Sequence, residues 1–270
     1  MAAADTFLQR LALEPAVLVT VQSTQGSVPR EAGTWMAVFA DGLVGTIGGG
    51  RLEFEAIDEA RARLAGSADQ QEADTVQRYP LGPSLGQCCG GVVYLHYERV
   101  TASDDAALRA RMIAALRPVA LFGGGHVGKA LAEVLARLPF ALHWIDSRDE
   151  IFPADVPANV MCEHSDPVQA AVADLPAGCS VVIMSFSHAE DLDIVAACLA
   201  RQRARGDLGY IGLIGSKTKW ATFRHRLEHR GYREDELARV TCPIGAPGIT
   251  GKEPEVIAVA VAAQLLQTRD

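Results

Sequence analysis

The stretch from Val119 to Arg148 constrains this chain most. An apolar run, Val119 to Phe122, passes at once into glycines. Gly123, Gly125 and Gly128 have G-x-G-x-x-G spacing, with His126 inside the motif. Ala130, Leu131, Val134, Leu135 and Leu138 then recur at helical spacing. A second apolar run, Phe140 to Ile145, ends in Asp146. Strand, glycine turn, helix, strand and terminal acid in that order are the context that gives the motif meaning. Gly123 suits a tight turn, Gly125 leaves room for a phosphate, and Gly128 lets helix and strand approach closely. The helix N-terminus offers free N–H groups to an anion. Asp146 stands about 20 residues beyond the first glycine, the place of a ribose-binding acid. The stretch predicts a Rossmann-type unit; a glycine turn without a ligand is the plainer reading.

The 270 residues accommodate one large domain or two small ones. Before the Rossmann unit, the pattern reads as a short helix (6–13) and a strand (16–22). A polar loop (23–33) and strands at 35–39 and 43–46 follow. A helix (51–64) and strands at 72–79 and 92–97 complete the region. The expected fold class is α/β: an N-terminal mixed α+β domain over 1–100, a linker over 101–117, and a Rossmann-like parallel doubly wound sheet over 118–270. Later strands are expected at 160–162, 180–184 and 210–214, with helices at 192–200, 219–229 and 254–266.

The formal net charge of −8, without a basic run, argues against nucleic acid as a partner. No apolar run approaches a membrane span, and Met1 to Leu13 does not read as a signal peptide, so the expectation is a cytoplasmic protein without a membrane partner. Its six cysteines are then reduced thiols. Cys162, Cys179 and Cys198 lie in apolar surroundings and read as core residues.

Four further stretches are candidates for chemistry. Gln25 to Gly33 holds Arg30, suited to bidentate anion binding or else simply solvated. Gly48-Gly49-Gly50 precedes a helix and reads as an anion cradle or a flexible turn. Cys88-Cys89 sits among glycines, where exposed thiols suit a soft metal or a sulfur group; the alternative is two small buried residues. Finally, Ser187 to Asp191 and Gly212 to Lys217 follow strand ends facing the Rossmann crevice. His188 can exchange protons, Gly215 and Ser216 line the turn, and Lys217 can meet a phosphate; capping is the plainer role for Ser216.

Taken together, Gly26-Ser27-Val28-Pro29-Arg30, Gly45 to Glu53, Leu85 to Gly91, the Rossmann stretch and Tyr210 to Ser216 resemble the XdhC/CoxI family of xanthine dehydrogenase accessory proteins. The resemblance covers nearly the whole chain. Cys242 to Ile249 looks like a family feature too, with Ala246 and Pro247 departing from the usual pair. It implies a chaperone that binds the molybdenum cofactor, a pterin dithiolene with a phosphate. The chaperone protects it during sulfuration and delivers it to apo-xanthine dehydrogenase, in contact with a cysteine desulfurase. On that reading Cys88 and Cys89 hold molybdenum or its sulfur, and a cleft between the two domains takes the cofactor. A homodimer is the expected assembly. The residues alone also allow an NAD-dependent oxidoreductase with His188 as proton donor, or a module sensing NAD or another nucleotide.

Overall fold

The computed structural model describes residues 2–66, 75–81 and 90–268. The chain divides into two compact units, Ala2–Ala115 and Leu116–Asp270.

The first unit is a five-stranded sheet of order β3-β2-β1-β5-β4, antiparallel throughout. Its strands are β1 (Ala16–Gln25), β2 (Trp35–Val38), β3 (Leu43–Gly45), β4 (Thr75–Pro80) and β5 (Val92–Val100). Helix α2 (Gly50–Ala65) covers one face; α1 (Ala2–Leu11) and α3 (Asp105–Ala114) serve the other. Strand β1 shows why both faces must be covered. Val17, Val19 and Val21 join Leu52, Ala56 and Ala60 of α2 in one core, whereas Ala16 and Leu18 join Phe7, Leu8, Leu11 and Leu108 in the other. The segment read as helix and linker contributes Leu108 to that second core. Strand β1 runs past its expected end because Ser23, Thr24 and Gln25 pair with Tyr94, Val93 and Val92 after a bulge at Val21/Ser23.

The second unit is a six-stranded parallel sheet of order β11-β10-β9-β6-β7-β8. Its strands are β6 (Arg117–Phe122), β7 (Phe140–Asp146), β8 (Val160–His164), β9 (Ser180–Ile183), β10 (Tyr210–Leu213) and β11 (Val240–Thr241). In order of appearance this is 3-2-1-4-5-6, the doubly wound arrangement, with its switch point between β6 and β9. Alternate residues again divide the core. Val119 and Leu121 face α4 (His126–Leu135) and α8 (Pro254–Gln267); Ala120 and Phe122 face α5 (His188–Arg205) and Phe223 and Leu227 of α6 (Lys217–His229). Burial on both faces explains the continuous apolar runs of β6 and β9. The two-residue β11, the short α7 (Glu234–Leu237) and a 3-10 turn over Val168–Asp174 lie outside the elements expected from sequence, being too brief for a periodic signal. Helix α5 starts four residues earlier than expected, at His188, because Ser187 caps it by accepting the Glu190 N–H.

Candidate functional site

The glycines after β6 divide into packed and open positions. Gly123 has φ +121°, and a Cβ there would lie 2.0 Å from the Met184 carbonyl oxygen at the end of β9. At Gly128 a Cβ would stand 2.0 Å from the Gly123 oxygen. Both glycines are required by close packing. Gly125 is different: a Cβ there meets nothing within 4 Å. It is the N-cap of α4 and supplies no side chain to the helix N–H groups; His126 follows, exposed, at the first helical position. Open space beside an uncapped first turn is the geometry a phosphate needs.

Asp146, the acid at the end of β7, is buried at 2% exposure. Its Oδ2 accepts the Gly124 N–H at 2.6 Å and Arg148 Nη2 at 2.9 Å. Its Oδ1 accepts the Arg148 N–H at 2.9 Å and Arg148 Nε at 2.8 Å. Four donors match the lone-pair directions a carboxylate offers. Burial pushes the Asp146 carboxyl up, but the bonds from Arg148 and Gly124 outweigh it and hold it below its ordinary value.

Two contacts join the ends of β7 and β9, the strands flanking β6. Ser147 Oγ donates to Glu190 Oε1 at 2.8 Å. The Arg148 guanidinium lies over the Phe186 ring, 4.6 Å from its centroid.

Beyond β9 and β10 lies a buried ion pair. Lys219 Nζ donates to Asp191 Oδ2 at 2.6 Å and to the Ile214 carbonyl at 2.8 Å. Asp191 Oδ1 accepts Ser185 N–H at 2.9 Å and Ser185 Oγ at 2.8 Å. Gly215 permits the lysine's path, since a Cβ there would sit 2.6 Å from Lys219 Cδ. Ser216 caps α6 by accepting the Lys219 N–H at 3.1 Å, while Lys217 points outward and is exposed. Sequence reasoning singled out Lys217 and passed over Lys219; the available signal was a lysine one turn beyond Gly215. His188 is exposed at the start of α5, edge-on to Phe223 at 6.3 Å.

In the first unit the structure brings the glycine loops together. At Gly48 a Cβ would lie 3.0 Å from Pro29 Cβ and 3.1 Å from Arg30 Cγ, so that loop packs on the Arg30 segment. At Gly91 a Cβ would stand 2.5 Å from the Ser27 oxygen and 2.6 Å from the Gln25 oxygen. Gly91 also accepts the Leu81 N–H at 2.8 Å. Arg30 is exposed, with no ion-pair partner among the described residues. Gly48, Gly49 and Gly50 have φ of +120°, +74° and +69°, a run only glycine adopts without strain. The turn is held by Glu53, whose Oε2 accepts the N–H groups of Ile47 at 2.9 Å and Gly49 at 3.1 Å. Cys88 and Cys89 lie outside the described residues. Among those that are described, no group of three or more His, Cys, Asp or Glu is placed to hold a metal ion. Burial raises the thiols of Cys162, Cys179 and Cys198 and also that of Cys242, with Cys179 pushed up to about 12. No helix among the described residues is long and apolar enough to cross a membrane.

The architecture defines an α/β protein in which an antiparallel unit with converging glycine loops precedes a Rossmann unit bearing an open helix N-terminus. The chain belongs to the XdhC and CoxI family: residues 119–265 match the XdhC Rossmann domain and residues 10–79 match the XdhC and CoxI family. Among curated proteins it is 26% identical over 258 residues to uncharacterized protein YqeB of Escherichia coli (strain K12), covering 95% of this chain and 44% of that protein. The chain thus spans less than half the length of that relative. Among solved structures it is similar to one described as a xanthine dehydrogenase (BH1974) from Bacillus halodurans. The TM-score is 0.71 and the identity 19%, with 99% of this chain and 96% of the other covered, a likeness of fold.

Proposed function

We propose that this protein binds the molybdenum cofactor, shelters it while molybdenum acquires its sulfur, and delivers it to an apo-xanthine dehydrogenase. The observation that carries the proposal is membership of the XdhC and CoxI family across both units. The geometry supplies a fit for one end of the cofactor. The uncapped first turn of α4, with open space at Gly125, suits the phosphate of a molybdopterin. Cys88 and Cys89 supply thiolates of the softness molybdenum and sulfur prefer. The bound cofactor contributes the dithiolene that holds the metal; this chain's residues bind, orient and shield it. Arg30, beside the Gly48 turn, adds an exposed cation for an anionic ligand or partner. A cysteine desulfurase is the proposed sulfur donor, a homodimer the proposed assembly and the cytoplasm the proposed compartment.

The alternative, an NAD-dependent oxidoreductase, draws less support. Asp146, the acid expected to meet a ribose, already accepts four hydrogen bonds.

The test is purification from a host that makes the cofactor, followed by oxidation of bound pterin to its fluorescent product. About one pterin per chain, together with activation of apo-xanthine dehydrogenase by the loaded protein, is the expected outcome. Pterin-free protein that neither takes up added cofactor nor activates the enzyme overturns the proposal.

A further inference from the structure

Helix α6 buries Phe223 and Leu227 in the core and leaves His225 and His229 exposed. The two histidines stand four residues apart, so they share one face of the helix and meet there. Their rings are edge-on, with centroids 4.5 Å apart and planes at 85°. Their Nε2 atoms converge to 3.2 Å. Such a contact needs a lone pair on one ring, so at least one imidazole is neutral and aims that lone pair at the other. Neither ring has a further hydrogen-bond or ion-pair partner among the described residues.

Two converging imidazole nitrogens are a donor pair for a metal ion. A tetrahedral ion with nitrogen ligands at about 2.0–2.1 Å holds two of them about 3.3 Å apart, close to the 3.2 Å between these two atoms. The ion takes the place of the shared proton, which leaves for solvent, and each Nδ1 keeps its hydrogen. Imidazole suits zinc, nickel and copper, whereas magnesium and calcium take oxygen ligands. The C-terminal end of a helix also favours a cation, and His229 is the last residue of α6. The neighbouring arginines are mostly neutralised: Arg224 pairs with Glu228 and Glu234, and Arg230 with Asp193 at 2.8 Å. Arg226 is exposed, and its charge opposes the ion. No group of three or more His, Cys, Asp or Glu among the described residues is placed to hold a metal, so water fills the remaining positions. Both features point to an exchangeable ion rather than a closed structural site.

We propose that His225 and His229 form a two-histidine site on α6 for a divalent zinc, nickel or copper ion, completed by water. The site uses none of the residues assigned to the molybdenum cofactor, so it stands or falls independently of that reading.

The experiment strips the untagged, reduced full chain of metal with a chelator and titrates it with zinc chloride in competition with a chromophoric zinc indicator. His225→Ala and His229→Ala are titrated beside it. Both side chains are exposed and alanine is a strong helix former, so neither substitution disturbs the core. Wild-type protein should take up about one zinc ion per chain that each variant either loses or binds at least about tenfold more weakly, a loss no smaller than that of an outer-shell partner. Magnesium chloride should not displace it. Zinc uptake identical in wild type and both variants would assign the metal to the thiols and overturn the site. Absence of zinc uptake, or displacement of zinc by an equal concentration of magnesium, would overturn it too. A loss in one variant alone would overturn the two-histidine arrangement.

Discussion

Asp146 Oδ2 accepts the backbone N–H of Gly124 at 2.6 Å, tying the end of β7 to the glycine turn that follows β6. The carboxylate is simultaneously the partner of Arg148, so one buried acid fixes both the turn and the guanidinium beside it. Glu53 repeats the device in the first unit, where it accepts N–H groups from Ile47 and Gly49. In each unit a glycine-rich turn is shaped by a carboxylate from a neighbouring element before any ligand is considered.

Asp146→Asn should therefore loosen the turn. The amide keeps one acceptor, loses the charge facing Arg148 and turns an N–H toward a donor. A loss of about 2 kcal/mol is expected, the scale of charged hydrogen bonds at a partly screened site, read as a lower urea midpoint at pH 7. An unchanged midpoint would show that Gly124 holds its conformation without the acid.

Acid should act through the same carboxylates. Asp146 is held below its ordinary value, and Glu236 is held at about 2 by Arg203 and then by the Arg233 N–H. Both pKa values are depressed on folding. Their contribution is complete above the unfolded values of about 4 and is lost as pH falls through the folded values. Urea midpoints measured from pH 7 downward should be insensitive to these groups until about pH 5, then decline toward pH 2. Glu236→Gln should flatten that decline.

The glycines of the motif should separate in their effects. Gly128→Ala places a Cβ 2.0 Å from the Gly123 oxygen and should cost about 1–3 kcal/mol, as overpacking does. Gly125→Ala enters open space in an ordinary extended conformation, so stability should hold within about 0.5 kcal/mol. Its methyl group occupies the proposed phosphate position, so cofactor retention should fall. Equal effects of the two substitutions on thermal stability would contradict the division into packed and open positions.

Lys219→Met should be among the most damaging single changes in the second unit. It leaves Asp191, whose side chain is 3% exposed, without its cation. Removing one member of a buried pair costs about 3–5 kcal/mol. Asp191→Asn in the same chain should recover part of that loss, because the uncompensated charge is then gone. A single-variant cost under about 1 kcal/mol would mean that Ser185 alone satisfies the acid.

Thiol chemistry should divide the cysteines. Burial raises Cys179 and Cys198, so neither should react with a thiol reagent until the protein unfolds. Cys88→Ser with Cys89→Ser should abolish cofactor retention while leaving the urea midpoint in place. Full retention in the double variant would remove these thiols from the proposed site.

The sequence by itself determined most of the architecture. Glycine spacing after an apolar run, then a helical period, then a run ending in Asp146, leaves little but a Rossmann turn, because each residue type meets a local steric demand. Alternation and turn residues likewise placed β2, β3 and α2 to within a residue or two. The strand order and the pairing of side chains distant in the chain were decided by the tertiary structure. The position of Lys219 one turn beyond Gly215 is legible in the sequence, but that it is buried against Asp191 while Lys217 is exposed is not. Nor does spacing reveal that the glutamate of an apparent capping box reaches Ser147, or that Asp146 already accepts four hydrogen bonds. Those outcomes depend on which acceptor the fold presents to each long side chain. Its reach spans several neighbours, and burial, which local pattern does not encode, selects among them.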